Sequence, residues 1–329
     1  MNQTKMLNES KLNNFSNLKL EKKPFVNNVA LVSGLHYSGK SMLIPIITSL
    51  VRSEIIYKAF TLEHFQILNY LKKISYDSAV FLIRYNIDFA LYDKIIGRNI
   101  NFRFEDETSI WNAQNPSSYF KRLSSTRGDS IIDRINKENP IHVIDIHNGL
   151  WFSNLWFNAY PTLKMIHINR NPIDIVYDWY SNNFGSEFYL TKTNQLLLVN
   201  WENNIVPYYA IGWENEYINM NQMDRCISMV FHLEKHHKKS KESLTKKQLK
   251  NLFIVNFEEM VTNPEPILSK ICLFLKTNVS LNTQNIMERE RVPRIPNKKD
   301  YKNKLIKIKK LASKKSFDLL MRMIDNYKI

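Results

Sequence analysis

Two cysteines, Cys226 and Cys272, are too few in a chain of 329 residues for a disulfide framework or a cysteine-based metal site. Cys272 falls in an apolar helical stretch and reads as a small core residue. So sparse a use of thiols fits a reducing compartment, and the protein is expected to be cytoplasmic. No run is long and apolar enough to span a membrane. Residues 1–24 are polar and lysine-bearing without an apolar core, which argues against a secretory signal and predicts a mobile lead-in to a single domain over residues 25–329. Acidic residues are in deficit, 31 Asp+Glu against 46 Lys+Arg, and the net charge of +15 favours anionic ligands. Much of that excess follows a general richness in Lys, Asn and Ile, so no dedicated nucleic-acid role is expected. Internal repeats are absent. Glycine is scarce as well, with seven in all, so each glycine in a motif carries weight.

Two of the seven bound the most informative stretch, Gly34-Leu35-His36-Tyr37-Ser38-Gly39-Lys40-Ser41, which satisfies the phosphate-binding pattern G-x-x-x-x-G-K-[ST]. Gly34 permits a sharp turn and Gly39 a close approach of backbone to an anion. N–H groups at the start of the next helix would face that anion. Lys40 adds a point charge, and Ser41 offers a hydroxyl to phosphate or Mg²⁺. The flanks agree: Val29–Val32 is an apolar run of strand length, and Leu43, Ile46, Ile47 and Leu50 mark one helix face. An ordinary strand–turn–helix is the bland alternative.

Downstream, Glu54–Ala59 reads as a short strand, Thr61–Ser75 as a helix with Thr61 as N-cap, and Ser78–Gly97 as a further helix. Arg98–Asn115 lacks a period and reads as a loop or short hairpin, the kind of segment that forms an acceptor pocket. Ser117–Lys137 returns to a helical pattern. Pro140–His147 and Leu163–Arg170 are strands ending in polar groups. Asn171–Pro172 opens a helix, with Asn as N-cap, Pro in the first turn and Asp174 near the positive helix end. Thr193–Tyr217 is irregular, and Asn219–Ser240 is a long amphipathic helix. Its tail, Lys235–Lys239, reads as a solvated end rather than a metal or anion site. Leu252–Phe257 is a fourth strand, Asn263–Pro264 starts another helix, Arg289–Arg294 is a basic loop, and one lysine-rich helix follows from about Tyr301. Strands alternating with helices predict an α/β protein, a P-loop three-layer fold with a central, mostly parallel sheet and helices on both faces. Such sheets bind ligands beyond the carboxyl ends of their strands. Gly34–Ser41, Asp145 with His147, and Asn169 with Arg170 should converge there.

The order of these motifs resembles the sulfotransferase family, a branch of the P-loop fold. Val32–Ser41 is similar to the family's 5′-phosphosulfate loop, and Val143–His147 to the strand ending in its histidine base. Ile166–Asp174, with Arg170-Asn171-Pro172-Ile173-Asp174, is similar to the R-N-P-x-D segment that binds the 3′-phosphate. Phe253–Glu265 is similar to a late strand followed by an acidic stretch and proline. The resemblance implies a nucleotide-binding transferase that uses 3′-phosphoadenosine 5′-phosphosulfate. Residues 34–41 would hold the 5′-phosphosulfate, and Lys40 or Ser41 would stabilise the leaving oxygen. Arg170 would hold the 3′-phosphate with Arg289 or Arg291 as helpers, and His147 would take the acceptor proton. The family needs no metal for this. A hydroxyl-bearing acceptor is implied, and the basic surface leans toward an anionic glycan.

Three positions depart from the family. Tyr37 stands where it usually has Lys or Arg, Lys40 where it has Thr, and Asp178 where a Ser contacts the 3′-phosphate. Arg289–Arg294 also lacks the glycine of the family's basic loop. A P-loop kinase using ATP with Mg²⁺ therefore stays open, with Lys40 on the β/γ-phosphates, Ser41 on the metal and Asp145 as a Walker-B-like carboxylate. So does a nucleotide-binding relative without catalysis. His147 could instead be a strand-end histidine bonded to backbone, and Arg170 a partner of Asp174 or Asp178.

Overall fold

The apolar run at Val29 forms β1 (Val29–Gly34), and every residue of it is buried. A strand buried on both faces belongs inside a helix-covered sheet. The computed structural model describes residues 18–58, 60–186, 196–295 and 298–327. Its main sheet has four parallel strands, with β1 between the second and third in chain order and the sixth at one edge. This is the three-layer α/β arrangement expected from the alternating pattern.

From β1 the chain enters α1 (Lys40–Thr48), then α2 (Phe60–Tyr70) and α3 (Tyr76–Ile95), with Ser75 capping α3 by accepting from the Ser78 N–H. Two shorter helices, α4 (Ser117–Arg122) and α5 (Ser130–Glu138), lead to β2 (His142–His147). After α6 (Ser153–Ala159) comes β3 (Lys164–Asn169) and then α7 (Pro172–Ser181). The start of α7 is as read from sequence: Asn171 Oδ1 accepts the Ile173 N–H at 2.9 Å, Pro172 sits in the first turn, and Asp174 follows. A hairpin of β4 (Leu198–Trp201) and β5 (Asn204–Pro207) precedes α8 (Glu214–Asn219), α9 (Gln222–Glu242) and α10 (Lys246–Leu249). The edge strand β6 (Leu252–Asn256) is followed by α11 (Phe257–Thr262), α12 (Pro264–Leu275), α13 (Thr283–Arg289), α14 (Lys298–Leu311) and α15 (Lys314–Asn326).

Side-chain alternation along β1 divides the core. Val29 and Leu31 pack with α3 and α6, while Ala30 and Val32 pack with α1, α12 and α13. A third cluster joins α7 and α9 to the hairpin and the two C-terminal helices.

Several local readings change. Glu54–Tyr57 runs beside β2 through the Glu54 N–H to Ile141 and the Tyr57 N–H to Val143, but makes only isolated bridges rather than a strand. Ala59 lies outside the described residues. Thr61 is inside the first turn of α2, not its cap. The Arg98–Asn115 segment is a loop with one bridge, Asn101 to Ser109, and a single 3₁₀ turn at Ile110–Asn112. Ser117–Lys137 is two helices, and the last lysine-rich helix breaks at Ala312, where Ser313 caps α15. Cys272 is half-buried against the core. The Lys235–Lys239 tail is not wholly solvated: His236 stacks on Trp151 at 4.0 Å, and His237 is 2% exposed with its ring edge-on to His167. Residues 1–17 of the expected lead-in lie outside the described residues. Just after them, the Leu20 N–H bonds Asp77 and Lys22 pairs with Asp88.

Beside β2 lies a buried charge cluster with a testable signature. Glu54 accepts from the two terminal nitrogens of Arg122, Nη2 and Nη1, at 2.7 and 2.8 Å, and from the Tyr119 hydroxyl at 2.7 Å. Lys94, also buried, donates to the Ile55 carbonyl at 2.5 Å. Burial lowers the Lys94 ammonium to about 7, with Glu54 opposing and Arg122 adding to the shift. An unfolded lysine titrates at about 10.4. Between those values the unfolded chain binds more protons, so the Lys94 contribution to stability rises with pH. The unfolding free energy of the wild type minus that of Lys94→Met should climb by up to about 1.4 kcal/mol per pH unit between about pH 7 and 10. Urea denaturation across that range checks it, and a flat difference would refute the buried-lysine titration.

Candidate active site

Parallel pairing sets the frame of the site. Gly34 is in register with His147 on one side and with Ile168 on the other, so the phosphate-loop entrance, the end of β2 and the end of β3 share one edge. From Gly34 the loop closes on itself, with the Ser38 hydroxyl donating to the Leu35 carbonyl at 2.8 Å and Trp179 Nε1 to the His36 carbonyl at 2.9 Å. Tyr37 takes φ 62° and Gly39 φ 99°. A Cβ at Gly39 would lie 2.3 Å from the Phe257 ring, so conformation and space both require glycine there. No side chain caps α1. The Met42 N–H already bonds the Gly39 carbonyl at 3.2 Å, so the donors that suit an anion are those of Lys40 and Ser41 at the helix start.

Lys40 does not point to open solvent. Its Nζ lies 2.5 Å from Asp145 Oδ1, and both side chains are 5% exposed. Lys58 approaches the other Asp145 oxygen at 3.9 Å while bonding Glu107 at 2.7 Å. Burial pushes the Asp145 carboxyl up, but Lys40, His147 and Lys58 outweigh it and hold the group below the usual range. A small cavity of about 90 Å³ is lined by Leu35, Tyr37, Gly39, Lys40, Ser41, Lys58, Glu107, Asp145 and His147.

His147 is held on several sides. Glu63 Oε1 accepts from its backbone N–H and bonds its Nδ1, each at 2.8 Å. Gln66 donates to its carbonyl at 3.1 Å. The His36 ring stacks on it with centroids 3.6 Å apart. Burial and the neighbouring His147, Lys40 and Lys58 push the His36 imidazole well down, so it stays neutral. Arg170, just past β3, donates to the Tyr37 carbonyl at 2.7 Å and to Asp178 at 2.9 Å, with Asp174 at 4.0 Å. The Arg170–Asp178 pairing named as an alternative is thus present, while the bond to the Tyr37 carbonyl fastens Arg170 to the loop.

A sulfotransferase-domain model matches residues 27–317. The chain belongs to the sulfotransferase family. No curated protein matches it. Among solved structures it is similar to the sulfotransferase domain of a Synechococcus olefin synthase, at 11% identity over 95% of this chain and 98% of that one, with TM-score 0.43. It is likewise similar to sulfotransferase STF9 of Mycobacterium avium, at 11% identity over 92% and 78%, TM-score 0.46. A third is mouse sulfotransferase SULT7A1 complexed with PAP, at 15% identity over 86% and 68%, TM-score 0.32.

In this chain the basic stretch that starts at the end of α13 borders a larger cavity of about 800 Å³, with Ser41, Met42, Pro45, Phe104, Asn112 and the carboxylates Glu105, Glu107 and Glu290 also on its walls. Arg289 reaches Asn112 at 2.6 Å and pairs with Glu290, and Arg291 lines the cavity. The residue that meets Arg170 is Arg294: both guanidinium groups lie over the Phe257 ring, at 4.8 and 5.4 Å from its centroid. Burial, then the cations Arg170 and Arg291, pull the Arg294 guanidinium below its ordinary value. Crowded cations of this kind suit an anion. Ser41 and Glu107 line both cavities, which makes them neighbouring parts of one cleft. Arg294, Glu63, Lys58, Glu107 and Phe257 were not singled out as site residues from sequence. Arg294 carried a signal as the third arginine of its basic loop, Glu107 fell in the segment read as forming an acceptor pocket, and Phe257 lay in the late strand motif. Among the described residues no helix is long and apolar enough to cross a membrane, and no group of three or more His, Cys, Asp or Glu could hold a metal ion.

Proposed function

We propose that this protein moves a sulfuryl group from 3′-phosphoadenosine 5′-phosphosulfate to a hydroxyl acceptor. The observation that carries the reading is the shared wall: His147 and Lys40 line a small cavity that adjoins, at Ser41 and Glu107, a nucleotide-sized one rimmed by Arg289, Arg291 and Arg294. The phosphate loop would take the 5′-phosphosulfate, and Arg170 with Arg294 and Arg291 the 3′-phosphate, with Asp178 shifting aside or sharing Arg170. His147 Nε2 would accept the acceptor's hydroxyl proton as its oxygen bonds to sulfur. The sulfur–oxygen bond to the 5′-phosphate breaks, its electron pair stays on the departing phosphate oxygen, and Lys40 with the Ser41 hydroxyl stabilises that charge. The net positive surface favours an anionic glycan as acceptor. Asp145 weighs against the kinase reading. The carboxylate a Mg²⁺ would need is bonded to Lys40 and lies beside Lys58.

A thermal-shift titration tests this. Adenosine 3′,5′-bisphosphate at a hundred times its Kd should add about 2.7 kcal/mol, several degrees at roughly 2–4 °C per kcal/mol. ATP–Mg²⁺ should add little, and Arg170→Ala should erase the preference for the 3′-phosphorylated nucleotide. Stabilisation by ATP–Mg²⁺ alone would move the assignment to phosphoryl transfer. Transfer of label from radioactive phosphosulfate to a hydroxyl acceptor completes the test.

A further inference from the structure

One helix turn is devoted to His147. Glu63 in the first turn of α2 and Gln66 one turn on both bond it, and Gln66 is itself fixed by Trp156 Nε1 at 2.8 Å. Capping the end of β2 would require only an acceptor for the His147 N–H. Glu63 Oε1 does that and also reaches Nδ1 at the same 2.8 Å. The side chains of Glu63 and His147 are 16% and 14% exposed, so the contact is shielded from bulk water. Burial raises the Glu63 carboxyl, but His147, by its charge whenever it is protonated and by its hydrogen bonds, and the Lys40 ammonium outweigh it and hold the group below the usual carboxylate range. Placement near the positive end of α2 acts in the same direction. An ionised carboxylate only accepts hydrogen bonds, so Nδ1 must carry a proton. In a neutral imidazole that leaves the lone pair on Nε2.

We propose that Glu63 is the positioning residue of the transfer reaction: it fixes His147 as the Nδ1–H tautomer, with Nε2 free to take the acceptor's proton. The assignment rests on the sulfuryl-transfer reading for its kinetic consequence. As Nε2 takes the hydroxyl proton and the acceptor oxygen bonds to sulfur, His147 becomes an imidazolium, and the Glu63 carboxylate stabilises it without accepting the proton. The His36 ring, stacked and neutral, holds the imidazole plane from the other side without competing for that charge. Asp145 is not available for the same task, because its oxygens face Lys40 and Lys58.

Two measurements test the proposal separately. Nitrogen NMR of histidine-labelled wild-type protein followed over a pH titration, with the His147 signals assigned by their loss in His147→Gln, should give the Nδ1–H pattern for the neutral ring. An Nε2–H pattern would overturn it. In kinetics, Glu63→Gln keeps a neutral acceptor of similar shape, and its kcat should fall roughly 10²-fold. Affinity for adenosine 3′,5′-bisphosphate should stay within about twofold, since Glu63 acts through His147 and not on the nucleotide. Glu63→Asp should recover part of the lost kcat. A Glu63→Gln enzyme with wild-type kcat would refute the role. If the wild type transfers no sulfuryl group, the functional reading fails on its own, and the tautomer measurement still decides whether Glu63 sets the state of His147.

Discussion

His147→Ala should lower kcat by about 10²–10⁴-fold, the usual contribution of a general base, and leave the Kd for adenosine 3′,5′-bisphosphate almost unchanged. The split follows from where the residue sits. His147 ends β2 and lines the small cavity, whereas Arg289, Arg291 and Arg294 line the larger one. Substitution removes the ring but not the backbone N–H to Glu63 or the carbonyl that accepts from Gln66, so the strand end keeps its two backbone anchors. Initial rates together with calorimetric titration of the bisphosphate check both halves. Full activity would remove His147 from the chemistry. An equal loss of nucleotide affinity would mean that the variant has disturbed the phosphate loop through the His36 stack instead.

Asp145→Ala should destabilise the fold by about 3–5 kcal/mol, the range for breaking a buried ion pair from one side. That is a large share of the 5–15 kcal/mol typical of a domain. Lys40 would stay in its buried position without a counter-charge, and Lys58 would lose the second carboxylate beside it. The cost belongs to the orphaned ammonium, not to the pair as such. The double variant Lys40→Met, Asp145→Leu should therefore recover most of the stability, although it should not bind nucleotide. Urea denaturation of the three proteins separates the cases. A mild loss for Asp145→Ala alone would show that Lys40 finds water or a new partner at little cost.

Legibility from sequence followed the range of the interactions involved. The four parallel strands and the cap at Asn171 were readable because each is a local pattern: an apolar run, or Asn-Pro before a helix. The phosphate loop was readable for the same reason, since its glycines and Lys40 lie within eight residues. The β4–β5 hairpin was missed because each strand has only four residues, too short for an alternation to stand out. The break before α15 had a signal, Ser313, which was overlooked within a continuous lysine-rich pattern. Glu63 had none. A carboxylate in the first turn of a helix is ordinary, and its meaning comes from His147, which only the folded chain brings near it. The same holds for Phe257, whose ring supports two arginines far apart in the sequence, Arg170 and Arg294.

The register of Gly34 with His147 and Ile168 has a consequence for how the protein folds. The phosphate loop can take its local shape early, but its neighbours arrive only when two distant segments dock on either side of β1. Such non-local pairings close slowly. Nucleotide affinity should consequently appear late in refolding, together with the sheet rather than with the helices. A nucleotide analogue added during refolding would then act as a trap for molecules that have already paired their strands correctly, and not as a template that guides the pairing.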